Sequence, residues 1–159
     1  MTRRTPGTEI LLLYRFPVAA GLLTPDVLAK LAPYLTRYAQ TLNVVVHAAG
    51  GVADHLHLLA DVPTDMPADR VPKELLAPAT RYLRDVLGMT GFDFDVGAVS
   101  VVSVSPTESA VAAAYVSEQM ERHASGNLVV AWEAVSGFDD ASGADETLPA
   151  WLAGAMPAR

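Results

Sequence analysis

The spacing of hydrophobic and polar residues changes along the chain, and each spacing predicts a different kind of element. Apolar stretches of strand length predict four β-strands, at residues 8–18, 43–48, 52–62 and 98–104. Between them, apolar residues recur at intervals of three and four, which predicts amphipathic helices at residues 25–42 and 69–87. The pattern therefore predicts a chain in which strands and helices are interleaved.

Capping residues predict where the helices begin. Thr24 is a favourable N-cap, and Pro25 suits the first helical turn because no N–H is lost there. Ser105, Pro106 and Glu108 have the spacing of a capping box. They predict a third helix, which runs to about residue 123.

Glycine and proline predict where the elements are interrupted. Gly50 and Gly51 predict a tight turn, and hence an antiparallel hairpin between the second and third strands. Pro33 and Pro78 predict kinks inside the first and second helices. Residues 88–97 are expected to form a loop.

The order of these elements is β-α-β-β-α-β, followed by a helix. The first six elements match the split βαβ pattern of ferredoxin-like folds. We therefore expect an α+β, ferredoxin-like (RRM-like) antiparallel sheet with two helices on one face. The third helix is expected to cross the sheet or its edge, as an extra C-terminal catalytic helix.

Composition favours one globular domain. The chain has 159 residues, of which 51% are hydrophobic and 18% charged. It contains no cysteine, no signal-peptide core and no apolar run of the roughly 20 residues that a membrane span needs. We expect a cytoplasmic protein without a membrane partner, with a main domain at residues 1–129 and an acidic C-terminal tail at 130–159.

The net charge of −7 has the wrong sign for strong non-specific DNA binding, which uses lysine and arginine to contact phosphates. Residues 1–129 contain ten basic and thirteen acidic side chains, whereas residues 130–159 contain one and five. The tail therefore carries more than half of the net charge.

Two histidines lie on the third predicted strand, in the sequence DHLHLL at residues 54–59. Residues two apart in a strand face the same side, so His55 and His57 present their imidazoles together. A metal ion can bind such a pair, and the adjacent Asp54 can orient one imidazole. The alternative is a pair of surface histidines. His47, on the neighbouring strand, is either a third ligand or a bystander.

Tyr115 and Gln119 are four residues apart in the third predicted helix, so both project from one face. Taken singly, Tyr115 is equally explained as a core aromatic and Gln119 as an exposed amide. Together with His55 and His57 they suggest a metal-assisted attack of tyrosine on a phosphodiester. Imidazole and oxygen ligands suit Mg or Mn, although Zn and Ni also bind such sets.

Five motifs, in order over residues 8–125, make the chain resemble the single-tyrosine HUH transposases, which include insertion-sequence transposases and their REP-associated relatives. The motifs are YRFPV (14–18), DHLHLL (54–59), TRYLR (80–84), VSVS (102–105) and YVSEQ (115–119), the last followed by Glu121 and His123. They resemble the family's Y-R-x-P-V, D-H-hydrophobic-H-L-L, S-R-aromatic-L-R, F-S-V-S and Y-I-x-x-Q-x-x-H.

The resemblance implies a metal-dependent enzyme that nicks single-stranded DNA next to a hairpin and transfers the strand. His55, His57 and Gln119 would hold the metal, and Tyr115 would keep the 5′ phosphate and free a 3′ hydroxyl. The implied partners are single-stranded or hairpin DNA and a second copy in a homodimer. The candidate DNA-binding residues are Arg15, Lys73, Arg81 and Arg84.

The chain also departs from the family. Leu76 and Ala77 replace a usual Lys-Gly pair, and residues 95–100 lack the usual W-Q-x-G-Y-G. These departures leave two alternatives open. One is a catalytically silent, dimeric DNA-binding or regulatory relative, and the other is a metal-dependent phosphoesterase that acts on a small nucleotide.

Overall fold

The computed structural model describes residues 9–133, which contain five strands and four α-helices. The strands are β1 (Glu9–Ala20), β2 (Val45–Val52), β3 (His55–Pro63), β4 (Asp93–Phe94) and β5 (Ser100–Ser103). The helices are α1 (Pro25–Gln40), α2 (Arg70–Arg81), α3 (Ser109–Ser117) and α4 (Gln119–Ser125). Helix α2 continues into a π-helical turn, Tyr82–Val86, and short 3₁₀ turns occur at Val96–Ala98, Pro106–Glu108 and Val130–Trp132.

All strands pair antiparallel in one sheet. The order is β2-β3-β1, and the far side of β1 is shared by two short strands. Strand β5 pairs with residues 12–15 of β1, and β4 pairs near its end, at Val18 and Ala20. If β4 and β5 are taken as one interrupted strand, this is the predicted ferredoxin-like arrangement.

The sheet separates two packed layers. Even-numbered residues of β1 and β3, such as Tyr14, Phe16, Leu56 and Leu58, pack against α1 and α2 in the larger core. Odd-numbered residues face α3, where a smaller core contains Leu11, Leu13, Leu59, Val104, Ala112 and Val116. The expectation of two helices on one face and a further helix carrying Tyr115 is confirmed.

The predicted turn at Gly50 and Gly51 is wrong, because both glycines lie within β2 and the chain turns at residues 53–54. Packing explains the glycine at position 50. A Cβ there would overlap the carbonyl oxygen of Val116, so glycine allows α3 to lie directly on β2. Gly50 is therefore explained by the close packing of α3 on β2 and not by a turn.

Other boundaries differ locally. Thr24 caps α1 as predicted, since its hydroxyl accepts from the Val27 N–H at 3.2 Å. Pro33 and Pro78 lie inside α1 and α2 without ending them. The predicted loop at 88–97 contains β4, which is too short to show a strand period. The third predicted helix is divided at Glu118 into α3 and α4, and it ends at Gly126 in the left-handed conformation (φ +75°).

Within residues 9–133, no helix has both the length and the apolar character needed to cross a bilayer. The predicted tail at 130–159 falls mostly outside the described residues. Its first four residues are described, and they continue from α4 to a carboxylate that lies against the histidines. The division of the chain after residue 129 remains a prediction.

Candidate metal centre and tyrosine site

Strand β3 holds His55 and His57 on the α3 side of the sheet. Their side chains are buried, with 1% and 0% of each residue exposed. The rings are edge to face, with centroids 5.1 Å apart. Arg15 of β1 is paired in register with His57 and brings a guanidinium to the same face. The structure therefore excludes the alternative of two surface histidines.

Helix α3 places Tyr115 over this face. Three alanines precede it, and small side chains together with Gly50 let the helix approach the sheet closely. The Tyr115 ring centroid lies 6.0 Å from that of His57, and the residue is only 1% exposed. Tyr115 is thus buried, as a core aromatic would be, while its hydroxyl points toward the polar groups of the site.

The chain then folds back over Tyr115 through residues 127–133, here called the C-terminal segment. The Val129 N–H donates to the Tyr115 hydroxyl at 3.3 Å, and the Trp132 ring packs edge to face at 5.1 Å. Arg122 covers another side, with its guanidinium carbon 4.8 Å from the tyrosine ring centroid, and it also donates to the Asn127 carbonyl at 3.5 Å. These contacts position Glu133 beside His55 and His57.

The Glu133 carboxylate is the point on which the site converges. Its Oε1 lies 3.1 Å from His55 Nε2, 3.2 Å from His57 Nε2 and 3.4 Å from His123 Nε2. Arg15 Nε is 3.7 Å from the same oxygen. The other oxygen, Oε2, accepts a hydrogen bond from the Tyr115 hydroxyl. One carboxylate therefore links both histidines to the tyrosine.

The donor set fits a divalent cation. One potential ligand atom from each of His55, His57 and Glu133 lies within 4.8 Å of the others. Asp54 accepts a hydrogen bond from His55 Nδ1 at 2.7 Å, so the Nε2 of a neutral His55 carries a lone pair toward the site. Although that nitrogen is close to Glu133, it makes no hydrogen bond within the described residues. A lone pair that faces a carboxylate oxygen is the arrangement that a cation stabilises.

Burial keeps the histidines in the form that binds metal. It lowers the pKa of His57 to about 4, and the nearby Glu133 charge opposes this effect. Burial, with the Arg15 charge, also lowers the pKa of His55. Both imidazoles are therefore neutral at neutral pH, as metal ligation requires.

The tyrosine hydroxyl and the Glu133 carboxyl shift in opposite directions. Burial and the hydrogen bond to Glu133 raise the pKa of Tyr115, because both favour the protonated phenol. Burial also raises the pKa of Glu133, but the hydrogen bond from Tyr115 and the nearby His57 outweigh it, so the net shift is downward. In this state Tyr115 is neutral and Glu133 is charged.

Gln119, the predicted third ligand, is buried (1% exposed) at the start of α4. Its Nε2 donates to the Tyr115 carbonyl across the break between α3 and α4 (3.1 Å), and its Oε1 lies 3.2 Å from His123 Nε2. The structure brings Gln119 beside the site with its amide already engaged. His47 pairs instead with Asp61, at 2.8 Å.

The four predicted DNA-binding residues do not lie together. Arg15 is in the site, whereas Lys73 and Arg81 are exposed on α2, in the layer on the other side of the sheet. Lys73 contacts Asp69 at 3.1 Å. Arg84, in the π-helical turn, donates to the Phe92 carbonyl at 2.7 Å and so helps to hold the following loop. A role for these residues in binding DNA remains a prediction.

Glu133 is the residue that sequence reasoning missed. It lies 76 residues beyond His57, in an acidic stretch without helix or strand periodicity. The nearest signal is Trp132, a large aromatic beside an acid among small residues, which hints that this part of the chain packs against something.

Known proteins resemble this chain in fold. No family model and no curated protein matches its sequence. A crystal structure from Deinococcus radiodurans R1, described as a "putative transposase", is similar with a TM-score of 0.56. The chains share 16% identity over 72% of this chain and 95% of the other. At that identity the likeness shows a common fold, and it agrees with the α+β, ferredoxin-like architecture.

Fold and site together define an α+β, ferredoxin-like protein whose fold is similar to that of the structure described as a "putative transposase". It carries a buried histidine–carboxylate group that is compatible with a divalent metal ion, and a buried tyrosine shares the same carboxylate.

Proposed function

We propose that this protein nicks single-stranded DNA in a metal-dependent reaction and transfers the strand through a covalent 5′-phosphotyrosine intermediate. The observation that carries the proposal is the convergence of His55, His57 and Tyr115 on one carboxylate, Glu133. A pair of metal-binding histidines alone would suit many hydrolases. A tyrosine hydroxyl in the same site supports nucleophilic attack by the protein itself.

The residues take the following roles. His55 and His57 would hold the metal through nitrogen, and an oxygen of Glu133 or Gln119 would be the third ligand. A bound Mg²⁺ or Mn²⁺ would act as a Lewis acid and polarise the phosphate. Tyr115 gives up its phenolic proton to water and its oxygen forms a bond to phosphorus, while the bond from phosphorus to the 3′ oxygen breaks. The 3′ oxygen leaves as a hydroxyl after taking a proton, and the 5′ phosphate stays on Tyr115.

The proposed substrate is single-stranded or hairpin DNA, and the proposed assembly is a homodimer. The similarity to a protein described as a transposase supports a DNA partner. Arg15 supports a phosphate ligand, because its guanidinium lies at the metal centre with only 14% of its side chain exposed. Contacts from Lys73, Arg81 and Arg84 to the flanking DNA are part of the proposal.

A second candidate is a catalytically silent, dimeric DNA-binding or regulatory relative. Two observations favour it: Tyr115 is covered by the C-terminal segment, and acidic side chains outnumber basic ones. This candidate shares the metal centre and the fold with the first, and it differs only in whether the tyrosine reacts.

The test is incubation of the purified chain with a mixture of hairpin oligonucleotides and Mn²⁺, followed by a denaturing gel. We expect a protein–DNA adduct that disappears with chelator and in Tyr115→Phe. The matched control is Tyr38→Phe, on α1, which should form adduct like the wild type. Normal adduct in Tyr115→Phe would contradict the proposal, whereas Mn²⁺ and DNA binding without any adduct would favour the silent relative.

A further inference from the structure

The Glu133 carboxylate is surrounded by groups that suit a phosphate as well as they suit a carboxylate. Arg15 Nε and His123 Nε2 lie 3.7 and 3.4 Å from its Oε1, and Tyr115 donates its hydroxyl to its Oε2. His55 and His57, whose Nε2 atoms lie 3.1 and 3.2 Å from Oε1, would contact an anion there through the metal ion that they hold. Only 13% of the Glu133 side chain is exposed. Cationic and N–H groups of this kind are those that bind phosphodiester oxygens in proteins.

The C-terminal segment also covers the proposed nucleophile, the Tyr115 hydroxyl. The Tyr115 hydroxyl already donates to Glu133 and accepts from Val129, and its ring lies against Trp132 and the Arg122 guanidinium. A phosphorus atom cannot approach the hydroxyl along a path that these groups occupy. In this state Tyr115 is fully packed, and its hydroxyl is not accessible to a phosphate.

We propose that Glu133 is an internal mimic of the scissile phosphate, held in the phosphate subsite by the C-terminal segment. Single-stranded DNA then enters by displacing Glu133. Arg15 and His123 become phosphate-binding residues in the open state, and withdrawal of Val129 and Trp132 exposes Tyr115. The inference rests on the proposed function, and it adds the position of the phosphate and the residues that contact it.

Charge makes the two occupants exclusive. The carboxylate and a phosphodiester are both anions, and the subsite offers one set of donors to neutralise them in a largely buried space. If both were present, one of them would be buried without its partners, which is strongly unfavourable. Binding of DNA and binding of Glu133 therefore compete, and removal of the Glu133 charge should favour DNA.

The experiment measures the affinity of a fluorescent single-stranded oligonucleotide by anisotropy, at saturating Mn²⁺, for the wild type, Glu133→Gln and Glu133→Ala. The matched control is Glu121→Gln, which removes the same charge from an exposed position on α4. We expect both Glu133 variants to bind about 5- to 150-fold more tightly, the typical range of coupling between two binding events. The control should change affinity by about twofold or less, since exposed charges are screened.

A second measurement follows the tyrosine directly. Nitration by tetranitromethane, read by mass spectrometry on the peptide that contains Tyr115, reports exposure of its ring without DNA or turnover. We expect Tyr115 to be protected in the wild type and modified in Glu133→Gln. The half-buried Tyr38 serves as the internal reference in every sample.

The outcomes separate this inference from the proposed chemistry. Equal DNA affinity in Glu133→Gln and Glu121→Gln overturns the inference. Loss of Mn²⁺ binding together with loss of DNA binding in both Glu133 variants also overturns it, because Glu133 is then a permanent ligand. Tighter DNA binding and an exposed Tyr115 support the inference even if no adduct forms, in which case the proposed nicking reaction fails alone.

Discussion

The two faces of β3 carry different kinds of residue: one face is apolar and packs in the larger core, and the other carries the histidines of the site. On one face Leu56 and Leu58 are fully buried between the sheet and the layer of α1 and α2. On the other face His55 and His57 are equally buried, yet they are polar and lie beside Arg15. Neighbours in sequence are thus separated by the sheet, so the apolar layer fixes the backbone from which the histidines project.

The polar residues of the site are therefore separated by the sheet from the larger apolar core. The α3 face also has an apolar part, with Leu11, Leu13 and Leu59, and it lies next to the histidines. The polar groups therefore sit at the margin of a small core, while the larger core stays free of them. We expect substitutions on the two faces to separate stability from metal binding.

The largest expected effect on stability is from Leu58→Ala. Because Leu58 is fully buried in the larger core, its truncation should lower the free energy of unfolding by about 2–5 kcal/mol. Chemical denaturation measures this change. Affinity for Mn²⁺, measured by calorimetry on the folded variant, should stay near that of the wild type, and a large loss of affinity would break the separation of the two faces.

The adjacent substitution His57→Ala should mainly affect Mn²⁺ affinity, whereas Leu58→Ala should mainly affect stability. Removal of a ligand should weaken Mn²⁺ binding by at least about 100-fold, since loss of even an outer-shell partner costs ~10–100-fold. Leu58→Ala is the matched control, because it also truncates a buried side chain on the same strand. Unchanged Mn²⁺ affinity in His57→Ala would mean that the metal binds elsewhere.

The metal-free protein should lose stability in mild acid. The pKa of His57 is lowered to about 4, below the usual ~6.5 of an unfolded histidine. Between these values the unfolded chain takes up a proton that the folded chain refuses, so stability falls as pH falls through this window. The loss should reach roughly 2 kcal/mol at pH 5 relative to pH 7.5.

Urea unfolding in the presence of a chelator, at both pH values, measures this loss. His57→Gln should reduce the difference between the two pH values, because the titrating group is absent. His47→Asn, at an exposed histidine on β2, should leave the difference intact. An equal pH dependence in wild type and His57→Gln would contradict the assignment of the loss to His57.

The smallest effect is expected from Asp54→Asn. Its hydrogen bond to His55 Nδ1 fixes the tautomer that turns Nε2 toward the site, so its loss should weaken Mn²⁺ binding by about tenfold. Asp26→Asn, in the first turn of α1, is a control that removes an equal charge elsewhere. The side chain of Asp54 is mostly exposed, so stability should change little in either variant.

Local signals were enough to predict most of the fold. The period-two pattern of residues 54–59 placed both histidines on one face, and the cap at Thr24 placed the start of α1. Ser105 caps the 3₁₀ turn at Pro106–Glu108, and α3 begins after it at Ser109. The spacing of four between Tyr115 and Gln119 predicted that both project from one side of the third helix, and both are buried in the structure. These features depend on residues close in sequence, which is why the pattern contains them.

The remaining features depend on contacts between distant residues. Gly50 was misread as part of a turn because its reason, the backbone of Val116, lies 66 positions away. The two-residue β4 is too short to show a period. Glu133 was assigned to an acidic tail by its composition, and only the fold brings its carboxylate to His55 and His57. Gln119 as a metal ligand remains a prediction that the resemblance supplied.

Mass-spectrometric mapping of the adduct formed with Mn²⁺ and hairpin DNA, in the wild type and in Glu133→Gln, tests the proposed phosphotyrosine chemistry most directly. After nuclease and protease digestion, we expect a 5′-phosphonucleotide on the peptide that contains Tyr115, attached to Tyr115 itself. A nucleotide on another residue would contradict the assignment of Tyr115 as the nucleophile. So would the absence of any adduct in both chains, when both bind Mn²⁺ and single-stranded DNA.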